Sequence, residues 1–186
     1  MKAFLRDVLT TFLLAALVYF GLRFTVQDFV VRQSSMEPNF HEGQRVLVVK
    51  VVYRFHAPER GDVIILHPPL ATNPDAIPFI KRIIGLPGES VDIRNGEVRI
   101  NGIKLKETYL NEPPNYTYHL DKVPDNQYFV LGDNRANSDD SHRGWTVPRE
   151  NVVGKAWLTI WPLDRWGLVS NFGLSAQVSN ATSPSQ

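Results

Sequence analysis

The 186-residue sequence is 43% hydrophobic and 21% charged, the balance of a folded domain rather than of a disordered chain. Its formal net charge of +1, with no basic stripe carrying interleaved aromatics, argues against nucleic acid as a partner. No cysteine is present, so a disulfide scaffold and cysteine-based zinc sites are both excluded.

The N-terminus opens with Lys2 and Arg6, followed by an apolar run over residues 8–22 and then Arg23. At about 1.5 Å per residue that run covers about 22 Å of a roughly 30 Å hydrocarbon core. Phe24, Thr25 and Val26 extend it to a span if Arg23 snorkels to the headgroups. "VYFGLRF" offers large residues where a cleavable leader needs small ones, so the segment reads as an uncleaved single-pass anchor. Lys2, Arg6 and the terminal amine favour a cytoplasmic N-terminus.

Beyond the anchor the chain reads as β. Residues 45–55, 62–66 and 79–84 are short, β-branched runs. In "VDIRNGEVRINGIKL", Asn95-Gly96 and Asn101-Gly102 sit between alternating apolar residues, which predicts a three-stranded meander over 91–105. "QYFVLG" and "NVVGKAWLTIW" add two late strands. Residues 67–78 and 111–127, rich in Pro and Asn, are expected as loops, and the polar tail 175–186 as disordered. The glycosylation-like Asn180-Ala181-Thr182 is too short a match to weigh. The expectation is one all-β domain over 27–174, preceded by the anchor over 1–26.

Three groups of residues could carry chemistry. A Ser-His-Asp set can be written from Ser35, His142 and Asp140, but the last two are nearly adjacent; His41, His56, His67 and His119 read as loop residues. In "FIKRIIG", alternation places Phe79, Lys81 and Ile83 on one face and Ile80, Arg82 and Ile84 on the other, so each face flanks a cation with apolar residues. Burial lowers a lysine's pKa, and a neutral lysine can take a proton from a serine hydroxyl. The plain alternative is that Lys81 and Arg82 snorkel to a strand edge. The third group is "GDNRANSDDSHRGW", residues 132–145, delivered by the apolar strand before it. Its carboxylates and arginines have to pair with one another if the segment packs.

Four stretches, "SSMEPNF", "RGDVIIL", "FIKRIIGLPGE" and "GDNRANSDDS", together resemble the type I signal peptidases, in that family's order and spacing. The resemblance reaches from the anchor to about Trp161. It implies an all-β fold of antiparallel sheets behind one transmembrane helix, with Ser35 as nucleophile and Lys81 as general base. It further implies that Ser138 orients the lysine amine, that Asp133 pairs with Arg82, and that Asp140 is a supporting carboxylate. Val31 and Ile80 fall where the family lines pockets for small residues before the cut. The implied reaction is removal of N-terminal signal peptides from exported preproteins at Ala-x-Ala type sites. Its partners are preprotein signal peptides and the lipid bilayer, it needs no cofactor or metal, and the catalytic domain stands on the extracytoplasmic side of the cell membrane.

The sequence departs from the family pattern at Gln33, where some members carry an oxyanion-binding serine, which leaves the second oxyanion donor open. After Ser141 many members have arginine, whereas here His142 and Arg143 compete to pair with Asp140. Two rivals remain. A self-cleaving repressor-type Ser-Lys protease would need a DNA-binding domain where the anchor stands. A membrane-tethered β-domain that binds exported proteins without cutting them would leave Ser35 and Lys81 as ordinary residues. Finally, Trp161, Trp166 and Phe172 are expected at an interfacial apolar surface, and Trp157 in the core.

Overall fold

A computed structural model of the protein describes residues 2–69 and 76–182. Residues 70–75 of the expected 67–78 loop and residues 183–186 of the tail lie outside the described residues. Helix α1, Lys2–Thr25, has 24 residues and runs directly into strand β1, Val26–Val30. Within it Phe4–Thr25 is long and apolar enough to cross a membrane.

The remaining strands are β2 (Arg45–Val49), β3 (Val63–Leu66), β4 (Phe79–Gly85), β5 (Val91–Arg94), β6 (Glu97–Ile100), β7 (Ile103–Lys104), β8 (Tyr118–Leu120), β9 (Gln127–Leu131), β10 (Val147–Pro148), β11 (Val152–Trp161) and β12 (Gly167–Leu168). They form a larger sheet in the order β1-β2-β11-β3-β4-β9-β10, with β12 on β11, and a smaller one in the order β7-β6-β5-β8. All strand pairings among the described residues are antiparallel. The all-β domain behind one apolar helix is thus the observed architecture.

The small sheet contains the expected meander. Asn95 and Gly96 adopt φ of 53° and 75°, and Asn101 and Gly102 adopt 51° and 80°, the left-handed pairs that two-residue hairpins require. Strand β8 was not foreseen; it adds to β5 by pairing Leu120 with Val91 inside the segment expected as loop.

β4 is the strand that positions the site. It lies between β3 and β9, and residues 80–85 are all buried. Phe79 and Ile83 face a cluster with Ile64, Leu66, Tyr128 and Val130, whereas Ile80 faces Val31, Met36, Val46 and Val63. β3 runs along Phe79–Arg82, β9 joins the other edge only from Arg82 onward, and packed clusters on both faces leave Lys81 and Arg82 no route to solvent. Their side chains are 0% and 1% exposed, so snorkelling to an edge does not occur.

Three further expectations need correction. The strand expected over 45–55 ends at Val49, and Val52–Phe55 form a short helix, α2. Turning back there brings the Tyr53 hydroxyl 3.0 Å from Asp62 Oδ2, a contact that a straight strand would forgo. The tail is ordered in part, because Leu174–Thr182 form helix α3. Its Leu174 and Val178, one turn apart, are buried against the small-sheet cluster, and full burial of such side chains contributes about 1.5–3 kcal/mol each. Trp157 is 48% exposed rather than in the core. On β11 alternation gives the inward places to Gly154 and Ala156 and so turns Trp157 outward, and the register shift between Ala156 and Leu158 passes the next inward place to Thr159.

Candidate active site

Ser35 lies in a single helical turn, Ser34–Met36, directly after an extended Gln33. Met36 is fully buried and anchors this turn in the cluster of Val31 and Ile80. The turn therefore presents Ser35, itself only 4% exposed, from a fixed base. Lys81 reaches it from β4, with Nζ 2.7 Å from Ser35 Oγ. The Phe79 ring sits 5.1 Å from the same amine. Burial lowers the Lys81 pKa to about 8, against the opposing pull of Asp140, Asp139 and Asp133.

Residues 132–141 wrap around the serine turn. The Asn134 backbone N–H donates to the Ser35 carbonyl at 2.9 Å, and its side-chain amide donates to the Ser34 carbonyl at 3.2 Å. Asn137 donates to Ser34 Oγ at 3.1 Å, which occupies Ser34 with structure. Gly132 makes this wrap possible. A Cβ there would stand 2.4 Å from the Ser35 carbonyl oxygen and 2.3 Å from Ser138 Oγ, inside any allowed contact. Ser138 is accordingly stacked over Gly132. Close as it is to Asp140, whose carboxyl it helps hold down, its buried Oγ completes no hydrogen bond of proper geometry with the described residues.

The charges of this segment pair internally. Asp133 receives Arg82 on both oxygens, from Nε at 2.8 Å and Nη2 at 2.7 Å, with both side chains buried. Asn39 adds a third bond to Asp133 at 2.8 Å, and the Arg82 guanidinium lies 4.6 Å from the Tyr109 ring centroid. Arg135 pairs with Glu107 at 2.9 and 2.5 Å and donates to the Gly132 carbonyl at 3.0 Å. Asp140 accepts from the Gly132 N–H at 2.8 Å and from His142 Nδ1 at 2.7 Å. Burial raises the Asp140 pKa, but His142, the Gly132 N–H and Ser138 outweigh it and hold the carboxyl below its ordinary value. His142, stacked on Tyr116 at 4.2 Å, is thus the residue beside Asp140, while Arg143 is exposed.

Of the residues singled out from sequence, Ser35, Lys81, Ser138, Asp133, Arg82 and Asp140 converge on this one locus. Val31 and Ile80, 0% and 3% exposed, share the cluster beneath the serine turn, so any surface they offer there is shallow. Ser35, Asp140 and His142 do not form a triad, because His142 spends its Nδ1 on Asp140 and Ser35 is held by Lys81. Tyr109, Glu107, Asn39 and Gly132 were not singled out. Only the position of Asn39, just past the Ser-Met-x-Pro stretch, and of Gly132, at the head of the acidic loop, carried a signal.

Residues 4–161 match the family model for signal peptidase, peptidase S26. The chain belongs to the signal peptidase family. Members of this family are serine peptidases associated with membranes. A probable signal peptidase I-2 from Synechocystis sp. is 43% identical over 87% of this chain and 75% of its own length. A signal peptidase I from Leptolyngbya laminosa is 42% identical over 88% of this chain and 83% of its own. A crystal structure of a signal peptidase I from Enterococcus faecalis, 35% identical, covers 54% of this chain and 97% of its own with a TM-score of 0.47.

Proposed function

We propose that the protein is an anchored endopeptidase that removes signal peptides from exported preproteins through a Ser35–Lys81 dyad. The observation that carries this reading is the 2.7 Å contact between Ser35 Oγ and a fully buried Lys81 amine. With its pKa lowered to about 8 by burial, Lys81 is partly neutral near physiological pH and can accept the Ser35 proton. The alkoxide attacks the scissile carbonyl. Ser35 N–H, in the first turn of a helix where N–H groups have no intrahelical acceptor, is assigned as one donor to the oxyanion. The C–N bond then breaks, the leaving nitrogen takes the proton from Lys81, and an acyl-enzyme on Ser35 remains for water to hydrolyse. Ser138 is assigned to hold the amine as its charge develops. Asp133 with Arg82, and Asp140, hold the loop that carries Ser138.

Val31 and Ile80 are proposed to line the floor for the small residues before the cut, in keeping with Ala-x-Ala type sites. The helix Phe4–Thr25 is assigned as the anchor, with the β-domain over 27–174 on the extracytoplasmic side. The short path from Val26 to Ser35 keeps the site within about 30 Å of the bilayer. Trp161, Trp166, Leu168 and Phe172, all exposed in one stretch, are proposed to rest on the lipid surface.

The test compares full-length enzyme with Ser35→Ala on a preprotein with an Ala-x-Ala site. Cleavage by the first alone is expected. Equal cleavage by both removes Ser35 from its role, and cleavage by neither, with folded protein, returns the non-catalytic binding domain as the better reading.

A further inference from the structure

Residues 170–178 lie past the end of the family match at residue 161, and they touch the buried groups that hold the catalytic loop at two separate places. The first is Arg82. Its Nη1 donates to the Ser170 carbonyl at 2.9 Å, and its guanidinium lies 5.1 Å from the Phe172 ring centroid as well as beside Tyr109. The Phe172 and Tyr109 rings stack on each other, 4.9 Å apart and inclined by 23°. Arg82 in turn is the partner of Asp133.

The second place is Lys106. The Gln177 side chain accepts from its backbone N–H at 2.6 Å and donates to its carbonyl at 3.2 Å. That fixes the start of the segment carrying Glu107 and Tyr109. The Tyr109 hydroxyl donates to Glu107 at 2.7 Å, Glu107 holds Arg135, and Arg135 holds the Gly132 carbonyl. The Tyr109 carbonyl also accepts from Asn39, just past the serine turn, at 3.1 Å. The two routes therefore end on neighbouring residues, Asp133 and Gly132, and Gly132 is the one that packs against the Ser35 carbonyl oxygen and Ser138.

Phe172 is held there against its own backbone preference. Its φ of 53° lies in the left-handed region, which a bulky side chain rarely occupies. Such conformations persist only where the surroundings over-determine them, and they cluster at functional sites. Burial of α3 on the small sheet is the work of Leu174 and Val178. Ser170, Phe172 and Gln177 instead contact the polar groups behind the catalytic loop. Packing alone asks for neither a strained aromatic residue nor a two-way bond to Lys106.

We propose that residues 170–178 are a clamp that positions the catalytic loop, with Phe172 and Gln177 as positioning residues for the reaction at Ser35. The proposal rests on the peptidase reading above. Phe172 sets the orientation of Arg82 and through it Asp133, and Gln177 sets Glu107 and through it Arg135 and Gly132. Loosening either lets Gly132 and Ser138 move relative to Ser35, and a misplacement of about 1 Å is enough to lower a rate by about 100-fold. Both residues act through others, so the loss falls on kcat rather than on KM.

The test measures kcat, KM and the urea midpoint of the full-length enzyme in detergent micelles, on a preprotein with an Ala-x-Ala site. Phe172→Leu keeps the apolar bulk but removes the aromatic face that Tyr109 and Arg82 share. Gln177→Met removes both bonds to Lys106 and leaves the buried residues of α3 in place, so it stays informative if Phe172→Leu fails to fold. Each is expected to lower kcat about tenfold or more with KM within about twofold, and Phe172→Tyr to return kcat to within about threefold of wild type. Wild-type kcat in either Phe172→Leu or Gln177→Met overturns the proposal. A loss of rate that only matches the fraction unfolded, or one as large in Phe172→Tyr as in Phe172→Leu, overturns it too, because a purely structural cap would behave that way. Ser35→Ala is assayed alongside. Persistent cleavage by that variant would instead indict the serine mechanism, so the two failures are separable.

Discussion

Replacing Lys81 with Met tests the electrostatics of the dyad apart from catalysis. The side chain is 0% exposed, and burial takes its pKa from the usual 10.5 to about 8. Between those values the unfolded chain binds a proton that the folded protein does not, so wild-type stability rises with pH across this window. The contribution is least favourable below pH 8, where the folded protein must carry a buried ammonium. At about 1.4 kcal/mol per pKa unit, the full effect is about 3 kcal/mol, of which about 2–3 kcal/mol falls between pH 7 and pH 10. Met has nearly the same length and does not titrate. Urea unfolding in micelles, followed by tryptophan fluorescence, should therefore show Lys81→Met gaining on wild type at pH 7 relative to pH 10 by that amount. Tyrosines and other lysines titrate alike in both proteins and cancel. Parallel stability curves, agreeing within about 0.5 kcal/mol across the window, would mean that Lys81 titrates normally and that burial does not tune it.

Asp133→Asn should cost about 3–5 kcal/mol, read as a fall in urea midpoint, because it leaves the buried Arg82 guanidinium without its counter-charge. Gly132→Ala should lower kcat by about 100-fold or more, since its Cβ would drive apart the Ser35 carbonyl and Ser138; a near-normal rate would show that this contact does not set the serine. Ser138→Ala removes a buried hydroxyl whose electrostatic partner is the Asp140 carboxylate, so stability should change by no more than about 1 kcal/mol while kcat falls. A fall in stability with kcat unchanged would reverse that assignment. Leu174→Ala should cost about 2–5 kcal/mol in the same unfolding assay, reporting that α3 is part of the core.

The sequence was most legible where local chemistry and fold agree. Asn-Gly pairs at 95–96 and 101–102 dictate left-handed turns, and the hairpins form there. The cation pair in β4 was visible as two charges among apolar residues, but its fate was not. Whether Lys81 and Arg82 snorkel or stay inside depends on β3 and β9 flanking β4 and on both faces being covered, which are long-range facts. Arg82 is then accommodated by Asp133, whereas no carboxylate among the described residues hydrogen-bonds Lys81, and that difference separates a structural cation from a reactive amine. The tail misled because its polar composition hid Leu174 and Val178, two apolar residues one turn apart that suffice once a cluster lies beneath them. Trp157 misled because its apolar bulk suggested the core, whereas alternation gives the inward places beside it to Gly154 and Ala156. Tyr109 and Glu107, which support Arg82 and Arg135 from a distant loop, had no local signal at all.

The central claim is that a neutral Lys81 activates Ser35, and the pH dependence of kcat/KM tests it most directly. For the full-length enzyme on a preprotein, kcat/KM should rise with pH along a single limb with a midpoint near 8 and level off above it, as the Lys81 amine loses its proton. A profile flat from about pH 6 to pH 9, or a limb near 6.5 where an ordinary imidazole titrates, would contradict it and return attention to His142.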